Sequence, residues 1–268
     1  MPVPLLDAAG RAHPPALGDA RILSLVPSLT ELIFDLGLGA KLVGRTNFCV
    51  HPKDRVGAVA SVGGTKQIDM DKVAGINPTH ALVNIDENPK DMADALAALG
   101  IEVVVTHPLQ VTDNRELFRL IGELFGAEEA ATALTHDFDA ALAALEAGDW
   151  PARRALYLIW RKPWMSIAPD TYIADTLARA GLRAIEHASP ERYPEVDLSE
   201  ALLAGVDLVL FSTEPFPFKA RHLESFRSEF PAHGAKAHLI DAEMVSWYGS
   251  RAVPGLGYLA EFAKGLQP

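Results

Sequence analysis

Two hydrophobic rhythms alternate along the chain. Short β-rich apolar runs at 22–26, 41–46, 80–84 and 102–107 are separated by segments at 28–38, 69–75 and 89–98 with apolar residues at helical spacing. Strand and helix in turn predict parallel α/β architecture. Residues 113–147 change character. Leu117, Leu120, Ile121 and Leu124, then Ala131, Leu134, Phe138, Leu142 and Leu145, keep the helical interval with no strand signal, which predicts a helical connection bent near Gly126. Alternation then resumes, with strands expected at 154–160, 183–187, 208–212 and 237–241 and helices at 170–180, 197–204, 219–228 and 254–265. Residues 1–20, rich in Pro, Ala and Gly without periodicity, read as an extended lead-in. The expected division is therefore lead-in 1–20, N-terminal lobe 21–112, connecting helix 113–149 and C-terminal lobe 150–268. The second half repeats the plan of the first: residues 70–84 align without gaps on 198–212, each preceded by an aspartate, Asp69 or Asp197, as a helix cap.

Composition narrows the functional classes. With 49% hydrophobic and 22% charged residues and no apolar run of about 18 or more, the chain is globular and does not insert in a membrane. Basic residues number 24 against 35 acidic, a net charge of −11, and no Lys/Arg cluster interrupts the acidic background, so nucleic acid is not an expected partner. The single cysteine, Cys49, excludes an internal disulfide. The first residues carry neither a basic stretch nor an apolar run of roughly 7–15 residues, so the chain reads as cytoplasmic unless a leader has been removed, in which case it is periplasmic.

Ligands of open α/β sheets bind beyond the carboxyl ends of the strands, so the loops there are the places to look. Ser28 and Glu31 follow the first strand at capping-box spacing, and Ser28 is a candidate to touch ligand as well. Phe48 is an aromatic in the loop after the second strand; its neighbours Cys49 and His51 are too few to hold a metal. Gly63 and Gly64 allow close backbone approach beside Thr65, but lack the context of a phosphate loop. The second half is denser in unusual side chains. Trp160, Arg161 and Trp164 follow one strand, Phe216 another, and Trp247, Tyr248 and Arg251 lie a little beyond a third. Flat aromatic surface combined with arginine suits a large, partly apolar ligand with a polar rim. No Gly-x-Ser-x-Gly or His-Glu-x-x-His motif is present, and no catalytic residue, metal site or cofactor is expected.

At this point the chain resembles a known family. Residues 21–31 (Arg-Ile-Leu-Ser-Leu-Val-Pro-Ser-Leu-Thr-Glu), Gly37 and Gly39 with Leu42, Val43 and Gly44, Pro78 before His80–Val83, and residues 120–126 look like the class III substrate-binding proteins of ABC importers, also described as helical backbone metal receptors. Cobalamin-binding members are the most similar, with siderophore and haem receptors as relatives. The resemblance implies two Rossmann-like lobes joined by a long backbone helix and a ligand in the cleft. It makes Phe48 a cleft aromatic and puts Thr65 where cobalamin proteins carry a tryptophan. Family members dock on a permease through one acidic residue per lobe; Asp71 matches the first, while the second falls on Ser199, with Glu200 beside it. The expected function is thus binding of a large metal chelate, cobalamin first and haem or an iron siderophore second, with a possible ABC permease as partner. An enzyme acting on a tetrapyrrole or metal ligand on the same scaffold is the rival from another class.

Overall fold

A computed structural model of the protein describes residues 5–16 and 18–267. The fold is α/β, with two parallel-sheet, Rossmann-like lobes and a long helix between them in sequence, as the apolar rhythm predicts. Two compact units divide the chain, residues 1–108, 112–138 and 248–251 forming one and residues 109–111, 139–247 and 252–268 the other.

The first unit begins with a hairpin, β1 (Leu5–Leu6) and β2 (Ala12–His13), paired antiparallel. Here the structure corrects the extended lead-in. The hairpin is fixed by side chains rather than by an apolar pattern: His13 lies with its ring nitrogens 3.1 Å from Asp7 Oδ2 and 2.7 Å from Glu102 Oε1. Then follow β3 (Ile22–Ser24), α1 (Pro27–Asp35), β4 (Leu42–Arg45), the two-residue β5 (Ala60–Ser61), α2 (Met70–Ile76), β6 (His80–Asn84), α3 (Lys90–Ala98) and β7 (Glu102–Thr106). The five strands lie in the order β5-β4-β3-β6-β7, all parallel, with Ile22 opposite His80 and His80 opposite Glu102. Leu23, Leu25, Val73, Ala81, Val83, Leu96 and Val103 bury the face against which the helices pack. Gly44 lets β4 pack closely on α2, since a Cβ there would meet Ile76 Cδ1 at 2.4 Å and force that side chain to move.

Next comes α4 (Asn114–Phe125), whose buried stripe of Leu117, Phe118, Ile121 and Leu124 gives it a core-facing side, and then α5 (Glu128–Glu146). The break between them is Gly126, left-handed at φ 76°, a backbone that glycine adopts without steric cost. α5 starts in the first unit and ends in the second.

In the second unit, β8 (Arg153–Leu158), α6 (Tyr172–Ala178), β9 (Leu182–Ala184), α7 (Glu200–Ala204), β10 (Leu208–Ser212), α8 (Ala220–Glu229), β11 (Ala237–Ile240), α9 (Ala242–Ser246) and α10 (Ala252–Gly265) follow in turn. The sheet order is β11-β10-β8-β9, again all parallel. Leu156, Leu158, Val209 and Phe211 of the strands pack with Leu203, Phe218 and Phe226. The fully buried Tyr157 donates to Ser212 Oγ at 3.0 Å, and burial pushes its phenol up to about 12.

Two caps differ from the sequence reading. α1 starts at Pro27 with Val26 as its N-cap, so Ser28 lies inside the first turn and does not cap; proline at the first helical position fixes the φ a helix needs and starts it early. α7 is capped by Ser199, whose Oγ accepts from Leu202 N at 3.4 Å, and not by Asp197; Asp69 does cap α2, accepting from Lys72 N.

Candidate functional site

Parallel strands put all their carboxyl ends on one edge of the sheet, where backbone and side chains are free to meet a ligand.

On the first unit, the loop after β4 turns Cys49 inward and Phe48 outward. The Cys49 thiol is buried between Thr30 Oγ1 at 3.0 Å and Thr46 Oγ1 at 3.2 Å, and burial pushes its ionisation up, which makes it an anchor and not a nucleophile. Phe48 is left 60% exposed. Val50 on the same loop and Ile85 after β6 are exposed too, apolar surface that no sequence signal singles out. Thr65, half-buried after β5, is held by its carbonyl, which accepts from Asn88 Nδ2 at 2.9 Å. Ser28 is buried at the start of α1.

The segment 248–251 belongs to this unit. Tyr248 donates its hydroxyl to Glu87 Oε1 at 3.0 Å; burial first, and then the Glu87 charge, raise the phenol well above its ordinary value. Gly249, at φ 88°, donates its N–H to Asn114 Oδ1 at 2.6 Å. Arg251 grips Glu31 with both arms of its fork, Nε to Oε2 at 2.8 Å and Nη2 to Oε1 at 2.6 Å. Burial nonetheless raises the Glu31 carboxyl above its usual value, a desolvation only partly offset by the Arg251 hydrogen bond and charge. Glu31 and Glu87 are thus partners the sequence does not announce: Glu31 and Arg251 come from opposite ends of the chain.

On the second unit, aromatic residues form one connected cluster. Trp164 stacks on Phe218, rings 6.0 Å apart and nearly parallel, and meets Phe211 edge-on. Arg161 lies over Trp164, its guanidinium carbon 5.6 Å from the ring centre. Trp160 meets Phe216 at 5.6 Å, and Phe216 continues to Phe218 and His222. Exposure sorts the tryptophans: Trp160 is 39% exposed, whereas Trp247 is 8% exposed with its Nε1–H donated to Glu214 Oε2 at 3.1 Å. Trp164 and Phe216 are partly buried against the core. The structure therefore gathers Trp160, Arg161, Trp164 and Phe216 in the second unit, and Tyr248 and Arg251 in the first, while Trp247 is tied to Glu214.

The two docking candidates are on helices α2 and α7. Asp71 is exposed in the first turn of α2. Ser199 is occupied as the cap of α7, and exposed Glu200 reaches His233 Nε2 at 2.8 Å. Among the described residues no three or more His, Cys, Asp or Glu side chains gather as a metal site, and no helix is long and apolar enough to cross a membrane.

Comparison with known proteins gives consistent matches. Residues 22–237 match the family described as periplasmic binding protein. An ABC transporter substrate-binding lipoprotein of Bacillus subtilis, YvrC, is 26% identical across 97% of this chain and 85% of its own. A vitamin B12-binding protein of Photorhabdus laumondii is 24% identical over 78% of this chain and 76% of its own. Among solved structures, the periplasmic vitamin B12 binding protein BtuF of Vibrio cholerae superimposes with a TM-score of 0.79 over 92% of this chain and 98% of that one, at 19% identity, which shows the shared fold.

Proposed function

We propose, from the premise that this chain belongs to the periplasmic binding protein family, that it is the substrate-binding component of an ABC importer for a large metal chelate, with cobalamin as the first candidate. Haem and an iron siderophore are the alternatives. The observation that carries the reading is the aromatic cluster at the carboxyl ends of β8 and β10, where exposed Trp160 meets Phe216 edge to face and Arg161 covers Trp164. Large flat apolar surface edged by a guanidinium matches a macrocyclic chelate and is more than a small polar solute needs.

In this reading Trp160, Arg161, Trp164, Phe216 and Trp247 are ligand contacts of the second unit, and Ser28, Phe48, Thr65, Tyr248 and Arg251 those of the first. Asp71 and Glu200 are the docking acids, and the protein acts on the periplasmic side of the membrane. It binds and releases its ligand without chemistry.

The test is a spectral titration. Cyanocobalamin and iron(III) protoporphyrin are added separately to the purified chain, and the complex is recovered by gel filtration. A coloured complex returning the ligand chemically unchanged is expected. A ligand altered on release would establish the enzymatic rival, and absence of any coloured complex with both probes would overturn the reading.

A further inference from the structure

Although the chain carries an excess of acid, folding gathers cations where the sequence shows no run of them. Arg161 and Lys162 follow β8, while Lys219 precedes α8 and Arg221 is its second residue, so two loops distant in sequence bring them to one place. None of the four is ion-paired among the described residues. Arg161, Lys219 and Arg221 lie around the aromatic cluster, and Lys162 adjoins Arg161 in sequence. Arg161 covers Trp164, and His222, whose ring meets Phe216 at 5.4 Å, is held below its ordinary value by burial first and then by the charges of Arg221, Arg161 and Lys219.

The hydrogen bonding at His222 fixes its tautomer. Its Nδ1 accepts from the Lys219 backbone N–H at 2.9 Å, which places the neutral ring's hydrogen on Nε2. Arg221 Nε lies 3.4 Å from that same Nε2. Two donors therefore face one another, and a carboxylate oxygen is the group that would accept from both.

We infer that the second unit selects a flat metal chelate carrying peripheral carboxylates, with Trp160 and Phe216 against its ring and Arg161, Lys162, Lys219 and Arg221 meeting its anionic groups. Like charges clustered at the edge of an apolar surface repel one another until an anion joins them, and charge-assisted hydrogen bonds to a carboxylate are the stronger kind. The inference rests on the metal-chelate reading above and reorders its candidates, placing a carboxylate-bearing chelate such as haem ahead of cobalamin. A macrocycle edged by neutral carboxamides offers this cluster little, whereas one edged by carboxylates satisfies it.

The experiment compares iron(III) protoporphyrin, its dimethyl ester and cyanocobalamin, titrated into the full chain at matched detergent and two salt concentrations, and repeats the series with Arg161→Gln/Arg221→Gln. The free diacid should bind at least tenfold more tightly than its ester, lose that advantage as salt rises, and lose it altogether in the double variant. Equal affinity for diacid and ester, or a preference that survives in the double variant, overturns the inference and leaves the metal-chelate reading standing. Binding of cyanocobalamin with neither porphyrin has the same meaning. Failure of all three ligands defeats the metal-chelate reading itself and the inference with it.

Discussion

Trp160 and Trp164 belong to one loop and differ in what surrounds them, so their replacements should separate binding from stability. Trp160 is 39% exposed and its ring meets Phe216, whereas Trp164 packs against Phe211 and Phe218. Trp160→Ala is expected to cost about 2–4 kcal/mol of ligand affinity, as at a binding hot spot, with less than about 1 kcal/mol lost in folding stability. Trp164→Ala is expected to lose about 2–4 kcal/mol of folding stability as well, since it leaves a cavity beside Phe218. Calorimetric titration and urea unfolding of both variants check this, and equal stability losses would show that Trp160 is a packing residue. At this scale the sequence shows which side chains are unusual and not what they pair with. The aromatic-cationic loops are legible because a run such as 160–164 stands out locally. The Glu31–Arg251 fork and the cationic group around His222 are not, because their members meet only after the chain has folded. Capping is legible at Asp69 but not at α1 or α7, because it depends on where the backbone leaves the extended region, which Pro27 decides for α1 and Ser199 for α7.

Among elements, the strands and helices with strong periodicity are where the apolar pattern puts them. β6 is the expected 80–84 and α3 spans Lys90–Ala98, within one residue of 89–98. The hairpin, β5 and the short helix α9 escape the pattern, since a two-residue strand and a five-residue helix are each too short to show their period. Polar contacts hold the hairpin instead. Asp7, buried, accepts from the N–H groups of Ala9, Arg11 and Val105 in addition to facing His13. His13→Ala removes the ring that joins Asp7 to Glu102 and leaves the buried carboxylate without it. We expect a loss of about 2–4 kcal/mol. A lower urea midpoint at unchanged slope would show it, and a midpoint within error of the parent would mean that the hairpin contributes nothing to folding.

For the whole molecule, the family match over 22–237 and the repeated strand–helix plan agree with the resemblance read from the motifs in the first lobe. Ser199, on which the resemblance puts the second acid, caps α7, and Glu200 next to it is engaged by His233. Aspartate caps as well as serine does. Ser199→Asp therefore restores an acid without giving up the cap, and is expected to tighten binding to a cognate permease, whereas Asp71→Ala should weaken it by about 2–5 kcal/mol if that carboxylate is buried in a pair with arginine. Pull-down with the candidate permease in nanodiscs measures both, and wild-type binding indifferent to Asp71→Ala would remove Asp71 from the docking surface.

The place of the hairpin bears on how the protein can be handled. β7 is the outermost strand of its sheet, and the hairpin lies along it, with Ala8 N donating to Val105 O at 2.9 Å and Asp7 Oδ2 accepting from Val105 N at 3.1 Å. An uncovered edge of consecutive valines, Val103 to Val105, is a template on which a second molecule can add its own strand. A chain trimmed to begin at Arg21, where the family match all but starts, would expose that template. Light scattering during storage at 37 °C should show such a trimmed chain assembling into large particles while the untrimmed chain stays clear, and the hairpin ahead of Arg21 would then be what keeps preparations of this receptor monodisperse.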